Sequence, residues 1–265
     1  MKRVLFLMLS LIILAGCAMS EEDELFQKSN KKNTIYISAA TSLEDALPEI
    51  ITAFEKKHPY ITVEVTYASS GQLASKIQQG APVDLFLSAN YEWVDVLNKE
   101  GLIIKNSLKK FIGNDLVLIT NADSQFDLLK LEDLKFIPFD QLALGDPVSV
   151  PSGNYAKEAL ESAGLWEDLK DKYLFLKDVH QVVDYVESNK AELGIVYASD
   201  THQNEQIRVI KEINKDLHSP IQYYTGITSY STNHHDAETF IDYLQSEQTA
   251  KIFESYGFKK LSVEK

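Results

Sequence analysis

Four segments of the sequence share one pattern, in which a strand-like run ends in small or polar residues and a helical pattern follows at once. These turns are Ala39-Ala40-Thr41-Ser42, Ala68-Ser69-Ser70-Gly71, Val150-Pro151-Ser152-Gly153-Asn154 and Lys177-Asp178-Val179. The first N–H groups of a helix have no acceptor within the helix, and Ser, Thr, Asp and Asn usually cap them. Each turn alone can be a simple cap: Thr41-x-x-Glu44 fits a capping box, and Asp178 is expected to cap the helix near Val179.

Four such turns in one chain also indicate the binding of a small anion. In an open α/β sheet, helix N-termini follow the carboxyl ends of the strands and face the crevice there. Each N-terminus carries roughly half a positive charge, so several of them can point free N–H groups at one place. An oxyanion at that place would accept charge-assisted hydrogen bonds without any lysine or arginine.

The elements that must position these turns alternate along the chain, which predicts an α/β fold with parallel sheets. Strands are predicted at residues 34–40, 61–68, 83–89, 115–120, 141–147, 173–177, 193–199 and 221–230. Helices are predicted at residues 42–59, 71–80, 91–101, 155–164, 180–189, 236–246 and 248–258. Pro48 is expected to kink or bend the first of these helices.

The N-terminus resembles a bacterial lipoprotein signal. Lys2 and Arg3 precede an apolar run that is too short to span a bilayer, and the run ends in Leu14-Ala15-Gly16-Cys17. Residues 1–16 are therefore predicted to be a signal peptide and Cys17 the lipidated first residue of the mature protein; the alternative is an ordinary secretory signal. The polar residues 17–33 are predicted to be a flexible tether. Cys17 is the only cysteine, which excludes an intrachain disulfide.

The charge of the chain excludes nucleic acid as a partner. The formal net charge is −13, and removal of Lys2 and Arg3 with the signal peptide takes it to −15. No basic stripe interrupts this acidity. An acidic surface opposes an anionic ligand less when local backbone dipoles hold that ligand in a closed cleft. The sequence contains no phosphate-binding loop of the G-x-x-x-x-G-K-[ST] type, so the chain is not a transporter ATPase.

Four segments of the chain resemble the molybdate-binding protein of bacterial ABC importers: AATSLEDA, YASSGQLASKIQQGAPVDLFLSA, GDPVSVPSGNYAKEAL and LGIVYASD. The resemblance runs in order from about residue 34 to residue 258. It implies a two-lobed periplasmic-binding-protein fold of type II, which closes on its ligand like a hinge. Lobe 1 would be residues 34–113 plus 224–265 and lobe 2 residues 114–223, with crossings near 115–120 and 221–230.

The resemblance also implies five residues that bind the oxyanion: Ser42, Ser70, Ser152, Val179 and Tyr197. Ser42 and Ser70 would offer hydroxyls and backbone N–H groups, and Tyr197 its hydroxyl. At Val179 and Ser152 the donor would be the backbone N–H. Relatives commonly have alanine in the place of Ser152, so the role of its hydroxyl stays open. His180, which stands where many relatives have arginine, is expected not to touch the ligand.

All five residues can donate hydrogen bonds, and none supplies a carboxylate. Molybdate and tungstate are proton-free dianions, whereas phosphate usually carries a proton that would find no acceptor, at a cost of about 1–3 kcal/mol. Sulfate also lacks a proton, so it stays an alternative ligand of the same fold. The sequence predicts an extracytoplasmic, membrane-tethered monomer that captures molybdate and tungstate for the permease of an ABC importer. No cofactor is expected.

Two other interpretations, a serine hydrolase and a metal-binding protein, have weaker support in the sequence. A serine hydrolase needs a nucleophile beside an oriented base, and the chain has no G-x-S-x-G elbow. His234-His235-Asp236 could bind a metal ion, but this segment is better explained as an exposed turn before a helix. The chain is therefore predicted to be a binding protein and not an enzyme, without a site for a free metal cation.

Overall fold

The computed structural model describes residues 32–261, and the predicted signal peptide, Cys17 and all but the last two residues of the predicted tether lie outside this range. Ten strands form two five-stranded sheets. The strands are β1 (Asn33–Ala40), β2 (Ile61–Ala68), β3 (Leu85–Ser88), β4 (Lys109–Gly113), β5 (Leu116–Asn121), β6 (Leu142–Gly145), β7 (Tyr173–Leu176), β8 (Leu193–Tyr197), β9 (Ile207–Glu212) and β10 (Gln222–Ile227).

Within the described residues, seven α-helices alternate with these strands or follow them. They are α1 (Leu47–Lys57), α2 (Ser70–Gln78), α3 (Tyr91–Lys99), α4 (Pro151–Ser162), α5 (Val179–Glu187), α6 (His234–Leu244) and α7 (Glu247–Ser255). Within residues 32–261, none of the helices has both the length and the apolar character required to cross a bilayer.

Each sheet combines parallel and antiparallel strands. The first sheet has the order β2-β1-β3-β10-β4, in which β1 runs parallel to β2 and β3 while β10 runs antiparallel to its neighbours. The second has the order β7-β6-β8-β5-β9, in which β6 runs parallel to β7 and β8 while β5 is antiparallel to its neighbours. This arrangement confirms the predicted two-lobed α/β fold, but the expectation of parallel sheets was wrong for β5 and β10, each of which runs antiparallel to both neighbours.

The chain passes between the sheets twice. Residues 114–115 join β4 to β5, and residues 213–221 join β9 to β10. Each of β5 and β10 lies within one sheet, so these short links connect the two halves. The exact lobe boundaries, at 113/114 and 223/224, stay a prediction.

The core explains why the central strands are continuous apolar runs. Every residue of β3, β6 and β8 is buried, as expected for strands that helices cover on both faces. Helix α1 buries Leu47, Ile50 and Phe54 at spacings of three and four, which is its amphipathic stripe. This packing fixes the loops at the carboxyl ends of the strands.

The start of the first predicted helix was wrong. Thr41–Leu43 forms a short 3₁₀ turn, and α1 begins only at Leu47, with Pro48 in its first turn. Proline lacks an N–H and is tolerated at the start of a helix, so Pro48 marks a beginning rather than a kink. The predicted capping box is also wrong, because no side chain caps this turn and the Glu44 N–H donates to the Thr41 carbonyl instead.

Other boundaries differ in smaller ways. The short strand β4 and the outer strand β9 were not predicted, and α4 begins at Pro151, before the predicted residue 155. His234 and His235 lie in the first turn of α6 instead of before it. Residues 32–261 contain no group of three or more His, Cys, Asp or Glu side chains that could hold a metal ion.

Candidate oxyanion-binding site

The five residues assigned from the sequence all line one cavity between the two sheets: Ser42, Ser70, Ser152, Val179 and Tyr197. The rest of its lining is Ala40, Thr41, Ser69, Ala89, Val150, Pro151 and Asp178. The cavity is narrow, with a volume of about 10 Å³. Residues from both halves of the molecule therefore enclose one small space.

The fold places these residues because each follows the carboxyl end of a strand. Ser42 lies in the turn after β1, and Ser70 is the first residue of α2, directly after β2 and one cap residue. Ser152 lies in the first turn of α4 after β6, Val179 begins α5 after β7, and Tyr197 ends β8. Within each sheet these strands are parallel neighbours, so their carboxyl ends share one edge.

Two side chains cap these helices and leave the first amide groups available. The Ser69 hydroxyl accepts from the Gln72 N–H at 3.4 Å. Asp178 accepts from the backbone N–H of Gln181 at 2.9 Å and from its side-chain amide at 3.1 Å. The prediction that Asp178 is an N-cap is confirmed, and both of its oxygens are engaged outside the ligand position. The N–H groups of Ser70 and Val179 have no acceptor within their own helices.

Three hydroxyls around the cavity are buried without a hydrogen-bond partner among the described residues. They are Thr41 Oγ1, Ser152 Oγ and the Tyr197 hydroxyl. Their residues are almost inaccessible, with exposed fractions of 8%, 0% and 1% respectively. A buried polar group without a partner costs about 1–3 kcal/mol, so native structures rarely retain one without a reason. A ligand that accepts hydrogen bonds would satisfy all three.

Thr41 was missed as a site residue because the sequence assigned it to a capping box. Its hydroxyl was expected to accept from a helix amide, and in the structure that bond is absent. The available signal was its position, since Thr41 directly precedes Ser42 in the first of the four turns. A small polar residue in such a turn can serve as a cap or face a ligand, and the pattern alone did not separate these roles.

The hydroxyls of Ser42 and Ser70 have partners on the protein side. Ser70 Oγ accepts from the Ala89 N–H at 3.1 Å, a bond that uses a lone pair and leaves the serine proton free to donate. Ser42 Oγ lies 2.8 Å from the Tyr223 hydroxyl. None of the bonds of these two serines involves a histidine, so they lack the oriented base of a serine hydrolase.

The electrostatics of the cavity rest on neutral donors. Among residues 32–261, no lysine, arginine or histidine lines it, and Asp178 is its one carboxylate. Burial, followed by the proximity of other acidic groups, raises the pKa of the Tyr197 hydroxyl well above its ordinary value. Tyr197 therefore keeps its proton and remains a donor over the whole physiological range of pH.

Direct contacts across the cavity show that the two halves are closed against each other. The Gly71 N–H donates to the Ser149 carbonyl at 3.0 Å. Closer to the surface, Asn154 contacts Glu92 at 3.3 Å. A Cβ atom at Gly71 would lie 2.7 Å from the Ser149 oxygen, so this approach requires a glycine.

His180 takes part in this closure and does not line the cavity. Its Nδ1 lies 3.3 Å from a carboxylate oxygen of Glu44 in the opposite half of the molecule. The sequence-based expectation that His180 stays away from the ligand position agrees with this placement.

Comparisons with known proteins identify the class of the chain. A model of the bacterial extracellular solute-binding protein family matches residues 35–259. The fold and the site thus belong to an extracytoplasmic solute-binding protein, which is a class of binding proteins and not of enzymes.

Two individual relatives show which members of this broad family the chain resembles. The Bacillus subtilis protein YvgL, named as an ABC transporter substrate-binding lipoprotein, is 38% identical over 93% of both chains. The molybdate-binding protein ModA of Haemophilus influenzae is 36% identical over 84% of this chain and 89% of its own. The chain belongs to the family of these ModA-type binding proteins.

Solved structures agree with this assignment. The substrate-binding domain of a molybdenum ABC transporter from Clostridium difficile is 40% identical, covers 86% of this chain and 99% of its own, and superposes with a TM-score of 0.70. The sulfate-binding protein SubI of Mycobacterium tuberculosis, at 15% identity, covers 86% of this chain and 87% of its own with a TM-score of 0.75. At that identity the likeness concerns the fold alone.

Proposed function

We propose that this protein captures molybdate, and also tungstate, in the cavity between its lobes and delivers it to the permease of an ABC importer. The observation that carries the proposal is the group of three buried hydroxyls without partners, on Thr41, Ser152 and Tyr197. The first-turn amides of Ser42, Ser70, Ser152 and Val179 would add further donors. The names of the ModA relatives support molybdate as the ligand.

The charge state of the ligand follows from the donors. A proton-free dianion can accept a hydrogen bond from each group around it. A hydrogen phosphate would have to donate its proton to one of the hydroxyls, and that hydroxyl could then no longer donate to the anion. Both oxygens of Asp178 already accept hydrogen bonds from Gln181, so only their remaining lone pairs could accept this proton. We expect phosphate to bind at least about tenfold more weakly than molybdate.

The size of the cavity sets a second condition. A cavity of about 10 Å³ has room for about one water molecule, whereas a tetrahedral oxyanion has four oxygens. We therefore expect the two halves to stand slightly further apart around a bound ligand than they do here. Sulfate, the alternative ligand, is smaller than molybdate, so the extent of this separation would decide how well sulfate is rejected.

The test of this proposal is isothermal titration calorimetry on the purified protein with molybdate, tungstate, sulfate and phosphate. We expect molybdate and tungstate to bind with a stoichiometry of one, and phosphate to bind weakly or not at all. Tight binding of sulfate together with weak binding of molybdate would replace the proposed ligand by the alternative. No binding of any of the four anions would refute the proposal.

We further propose that Cys17 carries a lipid that anchors the protein to the cell membrane, with residues 17–33 as the tether, and that the protein acts as a monomer. The lipoprotein signal in the sequence and the name of YvgL support the anchor. Replacement Cys17→Ser should release the protein from the membrane fraction of cells. A variant that stays in that fraction after a high-salt wash would contradict the anchor. A dimer in light scattering of the purified protein would contradict the monomer.

A further inference from the structure

A chain of buried hydrogen bonds reaches the Ser42 hydroxyl from the links between the two sheets. The Asn114 side-chain amide donates to the Tyr223 hydroxyl at 3.3 Å, and the Tyr223 hydroxyl lies 2.8 Å from Ser42 Oγ. These three side chains are almost fully buried, with exposed fractions of 6% for Asn114 and Ser42 and 0% for Tyr223. We call Asn114, Tyr223 and Ser42 the relay.

The direction of the relay is set at Asn114. Its side-chain oxygen accepts from the backbone N–H of Asp115 at 3.0 Å and from that of Ser199 at 3.4 Å. A flipped amide would place its NH₂ group against both of these donors. The NH₂ group therefore faces the Ser199 hydroxyl, at 2.8 Å, and the Tyr223 hydroxyl, and it can only donate.

The bond between Tyr223 and Ser42 follows the same direction, with Tyr223 as the donor and Ser42 as the acceptor. Because the Tyr223 oxygen accepts from Asn114, its one proton is available for Ser42 Oγ. Burial raises the pKa of the Tyr223 hydroxyl well above its ordinary value, so this proton is retained. Ser42 Oγ then accepts, and its own proton must point to another acceptor. Ser42 lines the cavity, where a bound anion would supply that acceptor.

We propose that Asn114 and Tyr223 are positioning residues, which orient the Ser42 hydroxyl as a donor to the anion. This inference rests on the proposed function of the cavity. Ser70 is oriented by the same principle, since the Ala89 N–H occupies its lone pair.

The relay differs from the three hydroxyls without partners. The protons of Thr41 and Ser152 can rotate, because no described neighbour fixes them. Ser70 is oriented by a backbone group, which side-chain substitution cannot remove. Ser42 is the oriented donor whose orientation depends on other side chains, so mutation of Tyr223 tests the mechanism directly.

The experiment is a double-mutant cycle of Tyr223→Phe, Ser42→Ala and the double variant, with molybdate affinities from calorimetry. Tyr223→Phe removes the hydroxyl and keeps the ring packed. We expect it to weaken molybdate binding by about threefold to tenfold. In the Ser42→Ala background we expect no further loss, because the relay acts only through that hydroxyl. An equal loss in both backgrounds, or no loss in the single variant, would overturn the relay.

A further variant, Asn114→Asp, replaces the donor at the start of the relay by an acceptor. A carboxylate at this position cannot donate to Tyr223, so Tyr223 would turn its proton towards Asp and Ser42 would lose its fixed direction. We expect a larger loss of molybdate affinity than in Tyr223→Phe, and part of this loss should vanish in the Ser42→Ala background. A loss that is identical in both backgrounds would indicate the added charge alone and contradict the relay. Urea unfolding of each variant checks that the fold is retained.

The same titrations separate this inference from the proposed function. If the wild-type protein binds none of molybdate, tungstate and sulfate, the proposed function fails and the relay fails with it. If the wild type binds sulfate in place of molybdate, the cycle is run with sulfate. If the wild type binds its anion and the mutational effects are additive, only the relay fails.

Discussion

Two cavities, an inner one between the sheets and an outer one lined by the links between them, use polar groups in different ways. The inner cavity is lined by neutral donors, three of which have no protein partner in the described chain. The outer cavity, of about 220 Å³, is lined by Asp115, Lys215, Lys259 and Lys260 among others. Asp115 pairs there with Lys215 at 2.7 Å and with Lys259 at 3.2 Å, and Lys260 pairs with Glu247 at 2.8 Å.

The difference shows that a concentration of positive charge does not by itself make an anion site. The ammonium groups of the outer cavity are already bound to carboxylates, so an incoming anion would have to displace those partners. Burial alone would raise the pKa of Asp115, but its hydrogen bonds and charge interactions with the two lysines outweigh burial and lower it. The hydroxyls of the inner cavity have no such partners to lose.

The largest effect on molybdate affinity is expected from the loss of a hydroxyl that lines the inner cavity. Tyr197→Phe removes a hydroxyl that would donate to a charged ligand, so molybdate affinity should fall by about 1.5–3 kcal/mol. The stability of the ligand-free protein should stay the same or rise, because a buried hydroxyl without a partner is also removed. Calorimetry and urea unfolding measure the two effects. Tyr173→Phe, whose hydroxyl bonds to the Trp166 carbonyl far from the cavity, is the control and should leave affinity unchanged.

Ser70→Ala tests a donor that does have a protein partner. The affinity for molybdate should fall by about 1–3 kcal/mol, as for the loss of a bond to a charged group. In contrast to Tyr197→Phe, the ligand-free protein should also lose about 1 kcal/mol of unfolding free energy, because the Ala89 N–H loses its acceptor. Affinity equal to that of the wild type would remove Ser70 from the site.

Gly71→Ala tests closure without changing any proposed ligand group. The added Cβ would lie 2.7 Å from the Ser149 oxygen and 2.8 Å from the Trp93 ring, so the closed halves must move apart. We expect molybdate affinity to fall by about tenfold, since such overpacking costs about 1–3 kcal/mol. Urea unfolding of the ligand-free protein should change less than affinity does. A larger effect on unfolding than on affinity would show that Gly71 supports the fold rather than closure.

Asp115→Asn tests the outer cavity and should have the smallest effect. Unfolding free energy near neutral pH should fall by about 1 kcal/mol, since both lysine partners are exposed and screened. The folded pKa of Asp115 is lowered, so its contribution is present above the unfolded pKa and is lost as pH falls through the folded one. The difference between variant and wild type should therefore begin to shrink below about pH 4, near the unfolded pKa, and disappear only below the folded pKa.

Two results would contradict this role of Asp115. One is a difference between variant and wild type that grows towards low pH. The other is a change in molybdate affinity, because the Asp115 side chain does not line the inner cavity. Lys260→Gln, at the exposed pair with Glu247, is the matched control and should show no measurable change in stability.

The fold could be predicted largely because its elements carry local signals. The apolar runs of β3, β6 and β8 and the caps before α2 and α5 are local in sequence, and each appears in the structure within a few residues. Strand β4 is short, and β9 lies at the edge of its sheet, so neither has the continuous apolar run of a central strand. The start of α1 failed because Thr41 and Ser42 suit a cap and a ligand turn equally well.

The site was predictable only in part. The four turns indicated an anion site, and the family resemblance implied the five assigned positions, which the structure brings together in one cavity. The relay could not be found in this way, because Ser42 and Tyr223 are 181 residues apart and Tyr223 lies within an ordinary buried strand. Whether a hydroxyl has a partner depends on contacts between distant segments, so the sequence could not show that Thr41 and Ser152 lack one.

In the proposed complex, neutral hydroxyls and amides from both lobes replace the water around a tetrahedral dianion. A crystal structure of the protein grown with sodium molybdate would show these groups and the anion together. We expect one anion in the inner cavity, with its oxygens about 2.5–3.2 Å from the hydroxyls of Ser42, Thr41, Ser152 and Tyr197. An inner cavity without the anion, or an anion bound instead by the lysines of the outer cavity, would show that these hydroxyls do not form the site.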